Sequence, residues 1–259
     1  MAAPPLFTSA VAAQAGTLVG VRRATPLVEV ELVLAARPRR VRLKLEAANR
    51  WGSSKDRTAF ALLEALESSG ELAAGATIVE SSSGNLGVAL AALARQRGYG
   101  FVAVVDPRVA SANLRELQEL GARIELADEP DEQGGYLLAR LRRVQDLVRN
   151  EGYAWTNQYG NPANPDIHYT ETAPELWRQT ADGCDAVFVA VSTGGTLAGV
   201  ARYLRETAPR VQVVAVDMVG SSALGYPSGP RLLTGIGSAR RSEFLTPSDY
   251  DAAMLVTTD

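Results

Sequence analysis

ATIVESSSGNLGVALAALARQRGYGFVAVVD (76–106) reads as a strand, a glycine- and hydroxyl-rich loop, a helix and a second strand. ATIVES (76–81) has the short apolar run of a buried strand. From Asn85 to Arg97, Leu86, Leu90, Leu93 and Ala94 share one helical face, and FVAVVD (101–106) is the next strand. The alternation continues outward. Asn113 to Leu120 is a short helix closed by Gly121, RIELAD (123–128) is a strand, and Tyr136 to Arg149 is a longer helix with Leu137, Leu141, Val144 and Val148 at helical spacing. Beyond these, AVFVAVS (186–192) and VQVVAVD (211–217) are strands with the helix Leu197 to Glu206 between them. Strands that alternate with helices imply βαβ units, an α/β fold with mostly parallel sheets. The polar stretch NQYGNPANPDIHY (157–169) separates two such series and reads as a domain crossing. No internal repeat is evident.

The 259 residues suffice for one long α/β domain or two smaller lobes. A net charge of −3 gives no reason to expect nucleic acid or an anionic membrane as partner. The basic run Arg140, Arg142, Arg143 is flanked by acids and reads as a solvated helix face. Cys184 is the sole cysteine, so no disulfide forms within the chain, and one cysteine with one histidine does not build a usual zinc site. Cys184 precedes the apolar run AVFVAV and reads as a buried structural thiol, although counting alone leaves a Cys–His pair open. MAAPPLFTSAVAAQAG (1–16) lacks the positive start of a signal peptide, and no stretch approaches about 18 uninterrupted apolar residues. A cytoplasmic enzyme is the default expectation.

Three loops carry chemistry. SSSGNLG (81–87) offers hydroxyls, an amide and backbone N–H groups at a helix start, which suits a carboxylate or phosphate; an N-cap with a tight glycine turn is the competing reading. VSTGGTLAG (191–199) follows a strand, and its paired glycines allow close backbone approach, as in a phosphate cradle. It is neither a Walker loop nor a dinucleotide fingerprint. WGSSKDR (51–57) places Lys55 at the start of a helical stretch, where the dipole favours the neutral amine that condenses with aldehydes. Alone, Lys55 would read as a surface charge.

Together the loops resemble the cysteine synthase/cystathionine β-synthase family of fold-type II pyridoxal-phosphate (PLP) enzymes. KLEAANRWGSSKDR (44–57) is similar to the lysine segment, SSSGNLG to the substrate-carboxylate loop, STGGT (192–196) to the phosphate loop, GIG (235–237) to an active-site loop and TPLV (25–28) to the opening segment. NQYGNPANPDIHYTETAPELW (157–177) resembles the stretch after the crossing, and the order of matches is the family's. The resemblance implies that Lys55 forms the internal aldimine and shuttles the α-proton. Asn85 would bond the PLP ring hydroxyl, and Ser192, Thr193, Gly194, Gly195 and Thr196 the phosphate. Ser82, Ser83, Gly84 and Gln158 would hold the substrate carboxylate, with Gly235 lining the site. The expected fold is two-lobed, tryptophan synthase β-like, with a smaller lobe over 47–158 and a larger one from 1–46 and 159–259. A homodimer is implied by resemblance alone.

Within the family, VVDPRVASANL (104–114), DEPDEQGGYLLARLRRVQ (128–145) and VAVSTGGT (189–196) resemble the synthases of 2,3-diaminopropionate pathways, which serve siderophores and peptide antibiotics. Those enzymes join O-phospho-L-serine to L-glutamate through an aminoacrylate, giving N-(2-amino-2-carboxyethyl)-L-glutamate. Ser192 and Tyr159 stand where sulfhydrylases commonly carry Gly and Phe, adding hydroxyls suited to a bulkier, polar second substrate. Arg140, Arg240 and Arg241 are candidates for substrate anions, each with a plain surface reading beside it. Two departures stand out. Leu86 replaces a common Thr, and the chain ends at AAMLVTTD where the family continues, so a C-terminal part of the large lobe, with the pyridine-nitrogen partner, is expected to be missing. The alternatives are an O-acetylserine or O-phosphoserine sulfhydrylase and an inactive PLP-fold binding protein.

Overall fold

The protein is described by a computed structural model over residues 23–34, 37–130, 135–180, 183–231 and 233–257. Thr77–Ser81 (β3), Gly100–Val105 (β4), Arg123–Leu126 (β5) and Ala154–Trp155 (β6) form a parallel sheet in the order β5-β4-β3-β6. Side chains alternate across a strand, so both faces of β3 and β4 must be covered for their runs to be apolar throughout. They are. Ile78, Phe101, Ala103 and Val105 pack into one cluster with Leu62, Leu63 and Leu66 of Lys55–Ser69 (α1) and with Asn85–Arg97 (α2). Val79, Val102 and Val104 point the other way, onto Ala139, Val144 and Leu147 of Leu137–Glu151 (α4).

α2 is buried from Leu86 through Ala94, more than the single face its spacing suggested. It touches β3 and β4, α1, and also Ser111–Glu119 (α3). Small alanines on the remaining face let these neighbours approach. Truncating any of its buried leucines to Ala would cost about 2–5 kcal/mol.

A second parallel sheet, β7-β8-β9, is formed by Ala186–Ala190 (β7), Gln212–Met218 (β8) and Ala252–Val256 (β9), with Gly195–Thr207 (α7) against it. Val189, Val213 and Ala215 meet Leu197, Val200, Ala201 and Leu204 of α7. Cys184 packs at the edge of this cluster only partly buried, so the expectation of a buried thiol is corrected to a half-buried one. It falls in the approach to β7, before burial is complete.

Three features differ from the sequence reading. Leu27–Leu34 (β1) and Arg37–Lys44 (β2) form an antiparallel hairpin to which no elements were assigned, with Glu29 opposite Arg42 and Glu31 opposite Arg40. The second half of the polar crossing is helical. Ala163–Ile167 (α5), a π-helical turn His168–Thr172 and Ala173–Gln179 (α6) run on continuously. Pro165 sits in the first turn, where its missing N–H leaves no bond unmade. Finally, α7 begins at Gly195 rather than Leu197, so the glycine loop supplies its own first helical turn. The opening stretch 1–22 and residues 131–134 lie outside the described residues.

Candidate active site

Lys55 is the first residue of α1. Its N–H donates to Ser53 Oγ (3.2 Å), and Trp51 N–H donates to Asp56 Oδ2 (2.6 Å), so the Trp51–Asp56 loop folds back onto its own helix start. Burial raises the Asp56 carboxyl to about 6 against the backbone N–H groups that favour its ionised form. Burial also lowers the half-buried Lys55 ammonium to about 8, opposed by the carboxylate of Glu80. The helix start is as expected, but desolvation is the leading cause of the shift.

Glu80, fully buried at the end of β3, accepts from Ser81 N–H (2.7 Å), Gln158 N–H (3.1 Å) and the Thr156 hydroxyl. Burial raises its pKa, and these donors oppose the rise. Gln158 Nε2 donates to Ser81 O (3.0 Å), so Gln158 is tied to the loop after β3 through both its backbone and its side chain.

In that loop Ser82 Oγ accepts from Gly87 N–H (2.9 Å), which satisfies an early donor of α2 while leaving the hydroxyl proton to donate. A Cβ on Gly87 would lie 2.7 Å from Ser82 O. Ser83 Oγ accepts from Arg140 Nη1 (3.2 Å), and Ser83 O from Asn113 Nδ2 (3.0 Å). Gly84 caps α2, and Asn85 stands exposed as its first residue.

The Ser192–Thr196 loop is held differently. Ser192 Oγ donates to Gly237 O (3.1 Å) and Gly237 N–H to Val191 O (2.7 Å), bracketing the Gly235–Gly237 loop against it. Thr193 O accepts from Ser242 Oγ (2.7 Å), and Thr193 Oγ1 accepts from Asn164 Nδ2 (3.1 Å). Gly194 has φ +93, where a Cβ would also lie 2.1 Å from Ser242 Oγ; a Cβ on Gly195 would lie 2.2 Å from Asn164 Oδ1. Both positions therefore require glycine. No side chain caps α7, so its first N–H groups lie without a side-chain partner at the positive end of a 13-residue helix.

Arg140, 3.3 Å from Asp106 Oδ2 through Nε, lies beside Ser83. Arg240 sits over the Tyr159 ring at 5.4 Å and pairs with Glu243. Burial raises the Tyr159 hydroxyl, while the charges of Arg140, Arg240 and Arg231 pull it down. Arg241 is exposed near Gly225, apart from this group. Gly235 is exposed at φ +84.

Sequence reasoning missed three buried residues that tie the site together. Asn164 and His168, both fully buried, join the lysine helix to the phosphate loop. His168 Nε2 contacts Thr58 Oγ1 (3.3 Å) on α1 and Thr196 Oγ1 (3.2 Å), and Nδ1 contacts Thr172 Oγ1 (2.9 Å). These threonines occupy the ring, so no Cys–His pair is formed among the described residues. Arg57, 1% exposed, is clasped by Glu175 (2.9 and 3.0 Å) and Glu46 (2.9 and 3.0 Å). Thr25 and Lys44 complete that network. The available signal was a polar residue inside a helix-spaced apolar pattern, which propensity alone does not flag. A groove of ≈ 440 Å3 beside α7, lined by Arg202, Arg205 and Phe244 among others, contains none of the expected site residues.

The residues present fit a phosphate-bearing aldehyde. A glycine pair opens a helix that no side chain caps, and a partly desolvated lysine without an ion pair among the described residues begins the helix joined to that loop through His168. Residues 19–255 match the family described as "Pyridoxal-phosphate dependent enzyme". The chain belongs to that family. N-(2-amino-2-carboxyethyl)-L-glutamate synthase of Ralstonia nicotianae is 44% identical over 240 residues, covering 89% of this chain and 71% of the relative. The enzyme of the same name from Cupriavidus metallidurans is 42% identical over 228 residues, covering 88% and 67%. The crystal structure of O-ureido-L-serine synthase superposes with a TM-score of 0.80 at 32% identity, over 90% of this chain and 72% of that one. The protein is thus a fold-type II PLP-dependent β-substituting enzyme, as the sequence reading expected. No helix among the described residues is long and apolar enough to cross a membrane.

Proposed function

We propose that the protein replaces the phosphate of O-phospho-L-serine with the amine of L-glutamate, giving N-(2-amino-2-carboxyethyl)-L-glutamate for 2,3-diaminopropionate synthesis in a siderophore or antibiotic pathway. The observation that carries this reading is the surround of Tyr159. Arg240 lies over its ring at 5.4 Å, and Arg140 bonds Ser83 in the loop after β3. Two carboxylates on the second substrate are matched by such a group, and hydrosulfide needs none of it. The curated relatives carry the corresponding name.

In this reading PLP supplies the electron sink that permits loss of the β-substituent. The chain does the rest. Lys55 Nζ binds the cofactor and, when released, carries the α-proton. Ser82, Ser83, Gly84 and Gln158 hold the amino-acid carboxylate, and Asn85 orients the ring. N–H groups of Ser192 through Thr196 hold the phosphate. The lobes divide at 47–158 against the rest, and closing the cleft between them excludes water. A cytoplasmic homodimer completes the proposal.

The test is product analysis by mass spectrometry. Purified protein with PLP is offered O-phospho-L-serine or O-acetyl-L-serine, each with L-glutamate or sulfide. The glutamate adduct from the phospho-substrate is expected. Cysteine as the sole product would replace this reading with a sulfhydrylase, and no turnover of any pair by a protein that binds PLP would overturn both.

A further inference from the structure

One carbonyl fixes a chain of hydrogen-bond directions. Gln158 O accepts from Asn164 at 2.8 Å, and a carbonyl can only accept, so the Asn164 amide is oriented with Nδ2 toward it and Oδ1 away. Thr58 Oγ1 then donates to Asn164 Oδ1 (3.4 Å). Having spent its proton there, Thr58 oxygen must accept from His168 Nε2. The imidazole is neutral, because burial and the charges of Lys55 and Arg57 push it down to about 3. It therefore carries one N–H, at Nε2, and its Nδ1 accepts from the Thr172 hydroxyl. The same Nε2–H also faces Thr196 Oγ1 (3.2 Å), so its one proton is shared between the two threonine oxygens as a three-centre bond.

We propose that His168 is a positioning residue for the cofactor phosphate: as the Nε2–H tautomer it donates to Thr196 Oγ1 and leaves the Thr196 hydroxyl proton free for an anionic oxygen at the Ser192–Thr196 loop. This rests on the reading of that loop as the phosphate cradle. A Cβ on Gly199 would lie 2.6 Å from His168 Cβ, so the ring is held in place by close packing as well as by threonines. Through its contact with Thr58, the same N–H couples the cradle to α1, one turn from Lys55.

His168 is the only histidine of the chain, so the test can be read directly. In [15N]histidine-labelled protein without cofactor, long-range proton–nitrogen spectra at neutral pH are expected to show Nε2 protonated and Nδ1 bare. The reverse tautomer would overturn the proposal. A second arm uses pyridoxine 5′-phosphate, which has the phosphate but no aldehyde for Lys55. His168→Phe and Thr196→Val are each expected to weaken its binding by about tenfold, the scale of one hydrogen bond to a charged group, with His168→Gln restoring most of it. The double variant is expected to bind no worse than the weaker single one, since both remove one interaction. Fully additive losses would overturn the coupling. Failure of wild-type protein to bind PLP or this analogue would overturn the cofactor reading, a result the nitrogen shifts do not depend on.

Discussion

The loops Ser82–Gly87 and Ser192–Thr196 look alike in sequence, and the structure uses them oppositely. Each follows a parallel strand and opens a helix. In the second, side chains are turned inward: Ser192 to Gly237, Thr193 to Asn164, Thr196 to His168. What it offers a ligand is mainly backbone N–H. The first keeps Asn85 exposed and Ser83 half-buried beside Arg140. What it offers is side chains. A phosphate with three equivalent oxygens suits a rigid ring of N–H groups, whereas telling one amino acid from another needs side chains at defined places.

The sharpest way to break this comparison is to add one methyl group to each loop. Gly195→Ala would drive its Cβ into Asn164, whereas a Cβ on Gly84 meets nothing within 4 Å. Gly195→Ala is expected to destabilise by about 1–3 kcal/mol or more and to abolish PLP retention. Gly84→Ala is expected to stay within about 0.5 kcal/mol. Thermal melts and PLP content after dialysis check both, and equal effects would end the contrast.

Polar deletions follow with smaller effects. Thr193→Val leaves an Asn164 N–H unpaired in a fully buried place, at a cost of about 1–3 kcal/mol in stability. Asn85→Ala is expected to melt within about 0.5 kcal/mol of wild type yet lose turnover. Inverted results from melts and steady-state rates would mean that the exposed loop is the structural one.

Lys55 begins the helix that His168 joins to the second loop. With the amine lowered to about 8, the rate at which PLP joins the cofactor-free protein should rise with pH and level off above 8, not near the ordinary 10.5. Glu80→Gln removes the charge that raises Lys55, so the midpoint should move lower; stopped-flow absorbance against pH checks this. A midpoint unmoved by that change would show that the buried Glu80 carboxyl is neutral.

Much of this was legible in the sequence, for a physical reason. The strands β3, β4, β7 and β8 and the helices α1, α2, α4 and α7 are fixed by local apolar patterns, and glycine loops mark where strands end. Lys55 gained its meaning only from the order of three loops. Asn164 and His168 escaped notice because their roles depend on partners over a hundred positions away in Thr58, and about thirty away in Thr193 and Thr196. The hairpin β1–β2 is written in plain alternation, Glu29, Val30, Glu31, Leu32, with Arg40 and Arg42 opposite, and carries neither the apolar run nor the glycine loop that marks the strands of the parallel sheets. Arg57 reads as a surface charge until Glu46 and Glu175 arrive from either side.

The smallest expected effect separates two adjacent serines. Ser82 Oγ accepts from Gly87 N–H inside its own helix start, so Ser82→Ala acts as loss of a cap, about 1 kcal/mol of stability. Ser83 Oγ accepts from Arg140, whose guanidinium is held on its other side by Asp106. Ser83→Ala frees one N–H of a half-buried arginine that water can still reach, so the melt should hardly move. What should change is where Arg140 points. Binding of the anionic substrate would weaken by about 0.5–1.5 kcal/mol, a rise in KM of up to about tenfold with kcat kept. If Ser83→Ala lowered the melt as much as Ser82→Ala and left KM unchanged, the side chains of this loop would serve the fold first and the ligand second, and the contrast with Ser192–Thr196 would vanish.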